Sequence, residues 1–522
     1  MCSPGKVGLA ALAIVLTVTS SYAQSDGIHA QVVPVKHDES VALSTVPASV
    51  PKAKGKTPDH PVKPGPPLPK RGPGKAPAKS VVQSNATTTL DVTAPQGFGG
   101  IGDGDKYQVA HIPSDTTGAI GDTQYVQWVN EAVQIFDRNG KSVYGPTLGN
   151  NLWLKFGGAC EKTNDGDPIV QYDKAAHRWM LTQFAVDGGP PFSQCIAISA
   201  SPDATGKYQR YAVSFDKFND YPKVGVWGDA YYISFNMFDG DDSFGSKICA
   251  LNRADAMAGK ATAMQCFDTE EFGVIPADVD GTTPPPAGSP GLAMNFTRDA
   301  LQLWQIRVDW DHPELSRMTG PVAIPVAQFD PACDVAPCIP QKPVSGKNAP
   351  LFSMGDRLMY RVAYRNFGDH ESLVVNHAVQ VNPQDKPASG VRWYEIRDPR
   401  GTPIVLQQAT YAPGMTTARW LGSPAMDKNG NLLIGYSTST PSGFAVVALA
   451  GRRSGDPANV LSKELTVKKG VVTSLGKRWG DYSTMSVDPT DDCTFWFTTE
   501  VMSSADRLWQ THVVHTKFND CK

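Results

Sequence analysis

Long apolar runs are almost missing from this chain of 522 residues. The one candidate, residues 7–18, is about a dozen residues long, whereas a bilayer span needs roughly 20. A membrane-spanning protein is therefore not expected. Charge is also scarce, at 19% of residues with a formal net charge of −3. That balance argues against a dedicated nucleic-acid binder. No cysteines stand at C-x₂-C spacing, which removes the usual zinc pattern. The H-E-x-x-H, G-x-S-x-G and phosphate-cradling glycine motifs are missing too, so nucleotide and serine-hydrolase functions lack support. Amphipathic helical periodicity is nearly absent; only residues 254–263 suggest a short helix. What the chain has instead is 48 glycines and 42 prolines, a composition of turns and short strands.

The N-terminus has the layout of an export signal. Lys6 gives a positive start, residues 7–18 are apolar, and small residues lead to a cleavage point after Ala23. Cys2 lies too early for a lipoprotein cleavage box. Residues 24–86 read as a disordered linker rich in Pro and Lys. Between Pro47 and Lys79 there are eight Lys or Arg against one acid, Asp59, and almost no apolar content to build a core. Proline keeps such a segment extended. Its basic charge also suits contact with an anionic envelope polymer. The expected division is a signal peptide at 1–23, the linker at 24–86 and one folded domain at 87–522. The expected product is a secreted or periplasmic monomer.

Cys160, Cys195, Cys249, Cys266, Cys333, Cys338, Cys493 and Cys521 remain beyond Cys2. An even count in an exported chain favours disulfides. Neighbour pairing is the simplest of the 105 connectivities eight cysteines allow. It would staple the loop at Cys333 and Cys338, close an excursion at Cys249 and Cys266, and tie the last strand at Cys493 and Cys521.

From residue 87 onward, short aromatic and β-branched runs alternate with Gly, Asp, Asn and Pro clusters. Residues 478–496 show the plan most clearly. Met485 and Val487 mark one strand, Asp488 to Asp492 a turn, and Phe495 and Trp496 a second strand. Proline fixes φ in such a turn, and Asp side chains bond nearby amides. Looser copies occur at 171–179, 425–433 and 135–140. Their irregular spacing of roughly 40 to 70 residues suits sheets of about four strands with variable loops. The expected fold class is all-β: a single β-propeller of about seven (six to eight) four-stranded blades. Radial closure hides the strand edges that so many short sheets would otherwise expose. The last strand, near 511–518, is expected to share a blade with a first strand near 87–92.

The turns resemble the Asp-box of sialidase-like propellers, Ser-x-Asp-x-Gly-x-Thr-Trp. Ser486, Asp488, Thr494 and Trp496 fill its positions around a longer turn. Ser423, Asp427 and Gly430 do so at shifted spacing. Segments such as Tyr364-Arg365-Asn366-Phe367-Gly368-Asp369-His370-Glu371, Gly390-Val391-Arg392-Trp393-Tyr394-Glu395-Ile396 and Arg478-Trp479-Gly480-Asp481-Tyr482-Ser483 make most of residues 100–520 similar to an exported bacterial sialidase-like β-propeller family of poorly defined function. Sialidases bind a carboxylate with three arginines and use a tyrosine nucleophile beside a glutamate, with an aspartate as acid. The resemblance therefore implies Tyr482 as nucleophile, Glu371 as its partner and Asp115 as acid. Where sialidases carry Arg-Ile-Pro, this chain has His111-Ile112-Pro113.

Arg361, Arg365, Arg419 and Arg478 each stand at the edge of an expected strand, and guanidinium groups lining a channel bind carboxylates bidentately. The competing reading is that they pair with acids between blades. Arg365, Asn366, Asp369, His370, Glu371, Asn376 and His377 form a polar strip that reads as a metal-coordinating or a hydrogen-bonded loop, with Asn366 and His377 counted in the ligand-binding set. Asp481, between Arg478 and Tyr482, completes the ligand-binding set. The acidic turns near 103–105, 164–167, 239–242 and 488–492 are candidates for a structural Ca²⁺, without EF-hand spacing. Trp128, Trp153, Trp179, Trp420 and Trp479 are candidate stacking surfaces or core. Two functions follow. The first is an extracytoplasmic module binding glycan or protein. The alternative is a sialidase-like glycoside hydrolase acting on a carboxylate-bearing glycan.

Overall fold

The computed structural model describes residues 1, 27–49, 63, 65, 66, 68, 81–102, 112–333, 336–381, 388–414, 416–504 and 509–522. The export-signal reading of residues 1–23 and most of the Pro/Lys run lie outside these, as do the acidic pair at 103 and 105.

The described residues are nearly all β, with two short helices, Ala159–Lys162 and Arg253–Met257. The second covers the start of the helix expected at 254–263 and stops early where Gly259 turns left-handed at φ 67°. The strands fall into seven antiparallel meanders. The first runs Thr117–Ile120, Gln124–Val129, Ala132–Asp137, Ser142–Leu148. The next two start at Ile169–Asp173 and Phe218–Val226. The fourth and fifth start at Ile275–Asp280 and Val362–Asn366, whose parallel pairing joins both into one 10-stranded sheet. The sixth starts at Ala418–Met426. The seventh comprises Thr484–Val487, Phe495–Val501, Gln510–Thr516 and, from the other end of the chain, Gln96–Gly99. A bridge from Val92 to Phe518 adds to this seam. No sheet closes on itself, but each first strand lies beside that of the next meander or its neighbouring strand, and the seventh returns to the first.

The first strands are the most deeply buried, because side chains on both faces are covered by neighbouring meanders. Thr117–Ile120, Ile169–Asp173 and Thr484–Val487 are buried throughout. Fourth strands such as Leu465–Lys469 are half-exposed and polar. Trp128, Trp153, Trp179, Trp420 and Trp479 all lie in the packed interior, so none offers a stacking surface. Each large apolar side chain buried this way contributes about 2–3 kcal/mol of transfer free energy.

Turns form where Asp side chains take backbone amides out of competition. Asp427 Oδ1 accepts from Asn429 N at 2.9 Å and Asn431 N at 3.0 Å. Asp488 Oδ1 accepts from Thr490 N at 3.0 Å, while its Oδ2 takes Trp496 Nε1 at 3.1 Å. The four disulfides follow neighbour pairing: Cys160–Cys195, Cys249–Cys266, Cys333–Cys338 and Cys493–Cys521. Cys249 and Cys266 stand directly opposite on paired strands.

The linker reading fails for residues 28–49. Ile28–His29, Gln31–Val33 and Val35–Glu39 add outer strands to the fourth, third and second meanders in turn. Val46 and Ser49 then reach the first, through Tyr144 Oη to Val46 O at 2.9 Å and Leu148 N to Ser49 O at 3.0 Å. This stretch has the side chains that the Pro/Lys run lacks. Ile28, Val33 and Val35 pack on the core, and Asp38 pairs with the buried Arg210 at 2.6 Å. Edge amides that would otherwise stay open are covered.

Candidate functional site

Left-handed backbone recurs where the chain enters the first strands. Asp115, Asp167 and Asp481 stand just ahead of three of them, at φ 46°, 46° and 55°. Gly273 does the same at φ 69°, while Tyr221 and Leu421 adopt it inside the bulges of two others. Asp tolerates this conformation; Tyr and Leu are strained in it. The turns sit at corresponding ends of neighbouring strands, so their side chains converge.

They converge on a cavity of about 510 Å³. Asp115, Asp167, Asp220, Tyr221, Arg357, Arg478 and Asp481 line its wall, Phe184, Phe218 and Met354 give it apolar surface, and Lys63 stands at its rim. Tyr482 Oη donates to Asp167 Oδ2 at 2.9 Å, and Tyr221 N donates to the same oxygen at 3.2 Å. Tyr221 Oη donates to Asp481 O at 3.0 Å. Lys223 Nζ lies 3.0 Å from the Tyr221 ring centroid and 3.8 Å from that of Tyr482. Arg478 pairs with Asp481. Arg357 makes two bonds to Asp356, at 2.9 and 2.7 Å. Beneath the wall, Glu500 Oε2 accepts Ser114 N, Ser114 Oγ and Gly480 N at 3.2, 2.8 and 3.1 Å. That carboxyl holds the turn carrying Asp115 to the turn carrying Asp481.

The electrostatics follow from burial. Burial and the neighbouring Asp167 push the Asp115 carboxyl well above its ordinary range. Asp167 is also raised by burial, opposed by Lys223 and by the Tyr482 hydroxyl. Asp220 is raised to about 7 by burial and then by Asp167. Glu500 is raised to about 7 by burial. Burial drives the Lys223 ammonium down and the Tyr482 phenol up. Burial thus raises all three wall carboxyls, and Asp167 accepts hydrogen bonds from Tyr482 Oη and Tyr221 N.

Of the residues singled out in the sequence, Asp115, Arg478 and Asp481 line the cavity, and Tyr482 lies just behind it. The other arginines are dispersed. Arg361 contacts Asp278 at 2.7 Å and Asp280 at 2.8 Å as close ion pairs without hydrogen-bond alignment; its aligned bond runs to Met485 O at 2.7 Å. Arg365 clamps Asp492 with bonds of 2.8 and 2.7 Å. Arg419 bonds Glu464 at 2.8 Å. Glu371 is not beside Tyr482: it pairs with Arg400 at 2.5 Å and accepts from Tyr364. The carboxylate next to Tyr482 is Asp167. Asn366 Nδ2 bonds Pro284 O at 2.7 Å. His377 is core, packed between Phe296 and Phe329 and bonded to Tyr394 Oη at 3.0 Å. Among the described residues, no three His, Cys, Asp or Glu side chains converge as metal ligands. Asp488 and Asp491 spend oxygens on their own turn.

Asp220, Tyr221, Lys223, Arg357 and Glu500 were not singled out in the sequence, and Asp167 was singled out only within a candidate Ca²⁺ turn. A weak signal was available for Asp167. Three first strands share an Asp ahead and an Asp six or seven residues on, as Asp115 with Asp122, Asp167 with Asp173 and Asp481 with Asp488.

No protein-family model matches the chain, and no curated protein does. Among solved structures, the chain is similar to a PL25 ulvan lyase bound to a glucuronate–sulfated rhamnose oligosaccharide, at 11% identity over 77% of this chain and 91% of that one, TM-score 0.35. It is similar to the Trypanosoma rangeli sialidase in complex with the inhibitor DANA, at 12% identity over 68% and 54%, TM-score 0.30. It is similar also to an α-L-arabinofuranosidase from Lactobacillus brevis, at 12% identity over 68% and 91%, TM-score 0.28. Likeness at these scores carries no argument about this chain's fold or activity.

Proposed function

We propose that residues 87–522 form one seven-bladed β-propeller with sialidase-type Asp turns, and that its first-strand mouth binds a glycan outside the cytoplasm. The seven meanders and the return of the last to the first support the fold reading. Four disulfides support an oxidising compartment, behind an export signal at 1–23. The observation that carries the function is the 510 Å³ cavity in which Asp115, Asp167 and Asp220 face one space beside Tyr221. Sugar hydroxyls suit such carboxyls. Titrating the purified full chain with a glycan panel tests the reading. Saturable binding lost in Asp167→Asn is expected; an unaltered isotherm in that variant would sink it.

A second reading, glycosidic-bond cleavage, is favoured by one observation: Asp115, Asp167 and Asp220 line one cavity, with Asp167 accepting from Tyr482 Oη. Two positioned carboxyls suffice for that chemistry. Asp115 or Asp220 would act as acid and Asp167 as base. A carboxylate-bearing substrate held by an arginine trio has no support, since Arg361, Arg365 and Arg419 are bound elsewhere. Release from fluorogenic glycosides, abolished in Asp115→Asn, is the expected result.

A further inference from the structure

We infer that the ligand of this mouth is a saccharide bearing a free primary amine, an unacetylated amino sugar, whose ammonium docks on Asp115. The inference rests on the glycan reading above and names its substrate class. Asp115 is 5% exposed, lines the cavity, and its Oδ1 accepts no hydrogen bond. An unsatisfied buried acceptor is costly, so a donor is missing from this position. The backbone that carries it is fixed: Glu500 holds Ser114, and Asn130 Nδ2 holds Pro113 O at 2.8 Å.

The protein's own cations do not fill the gap. Arg357 is spent on Asp356, Arg478 on Asp481, and Lys223 on the Pro222 carbonyl at 3.0 Å. A uronate would bring a further carboxyl against Asp115, Asp167 and Asp220, and a neutral N-acetyl group would leave Asp115 with no charged donor. The aromatic surface also suits an ammonium. Lys63 Nζ already lies 5.4 Å from the Phe218 ring centroid at the rim, as cation–π contact allows.

The test is calorimetric titration of the full chain with four probes: a β-1,4-linked glucosamine tetramer, its fully N-acetylated form, a galacturonate tetramer and tetralysine. The glucosamine tetramer is expected to bind at least about tenfold tighter than the N-acetylated one, the size of one charge-assisted bond. Asp115→Asn is expected to erase that margin. Asn keeps the left-handed turn accessible. Asp220→Asn serves if thermal melting shows that Asp115→Asn misfolds, with a smaller loss expected. Equal or tighter binding of the N-acetylated or galacturonate tetramer overturns the amine inference and leaves the glycan reading standing. Binding of tetralysine alone, or of none of the four, overturns both.

Discussion

Asp280 and Asp220 are both carboxyls withdrawn from water near the first strands, yet they sit at opposite ends of the acid range. Burial alone would raise Asp280, but Arg361 and Lys174 outweigh it and bring the group down to about 2. Asp220 faces Asp167 instead, and burial carries it up to about 7. The first region pairs Asp278 and Asp280 with Arg361 and Lys174. The second crowds carboxyls around a cavity, where Arg478 pairs with Asp481 and Asp115 Oδ1 has no hydrogen-bond partner. Charges that meet a partner inside the fold hold the structure together. Charges left without one are available to a ligand.

Removing Arg361 is the strongest way to break this contrast. Arg361→Met strands two buried carboxylates and is expected to cost about 3–5 kcal/mol in chemical denaturation. Adding Asp280→Asn should recover part of the loss. A loss under about 1 kcal/mol would mean that the pair does not hold the centre.

The two regions should also respond oppositely to pH. Glu500 and Asp220 have folded values raised to about 7, so their contribution is present below about pH 4 and is lost as pH rises through 7. Asp280 is depressed, so its contribution holds above about pH 4 and is lost as pH falls toward 2. Melting temperature should therefore fall from pH 5 to pH 8. Glu500→Gln should flatten that fall by roughly 3 kcal/mol. An unchanged slope in the variant would place the titration elsewhere.

At the mouth, Asp167→Asn should move stability by no more than about 1 kcal/mol, because an amide oxygen still accepts from Tyr482. Its effect belongs in binding, read by the same glycan titration. The smallest effect is expected on the outer belt. Asp38→Ala removes an ion pair with a partly exposed acid, and should cost about 0.5–1 kcal/mol by thermal melting.

Local chemistry made a large part of the architecture legible. Second and third strands such as Arg178–Ala185, Ala230–Asp239 and Leu432–Ser439 carry the aromatic and β-branched runs from which strands were expected. The turn aspartates bond amides a few residues away, so sequence spacing reveals them. Thr117–Ile120 and Arg317–Pro325 escaped notice because one is short and small-sided and the other is interrupted by Gly320, Pro321 and Pro325. Residues 28–39 were misread because an edge strand needs few apolar side chains when its partner's backbone supplies the bonds.

The sequence by itself pointed to most strands and turns and to disulfide-bonded cysteines, since each depends on residues near in the chain or on the count of cysteines, while the structure decided which cysteines pair. The tertiary structure alone decided which arginines were consumed and which carboxyls met. Arg361 finds Asp278 and Asp280 far back along the chain, and Tyr482 finds Asp167 from the other end of the fold. Those contacts depend on how the first strands come round to one another, and pairings set by three-dimensional closure leave no periodicity in a linear sequence.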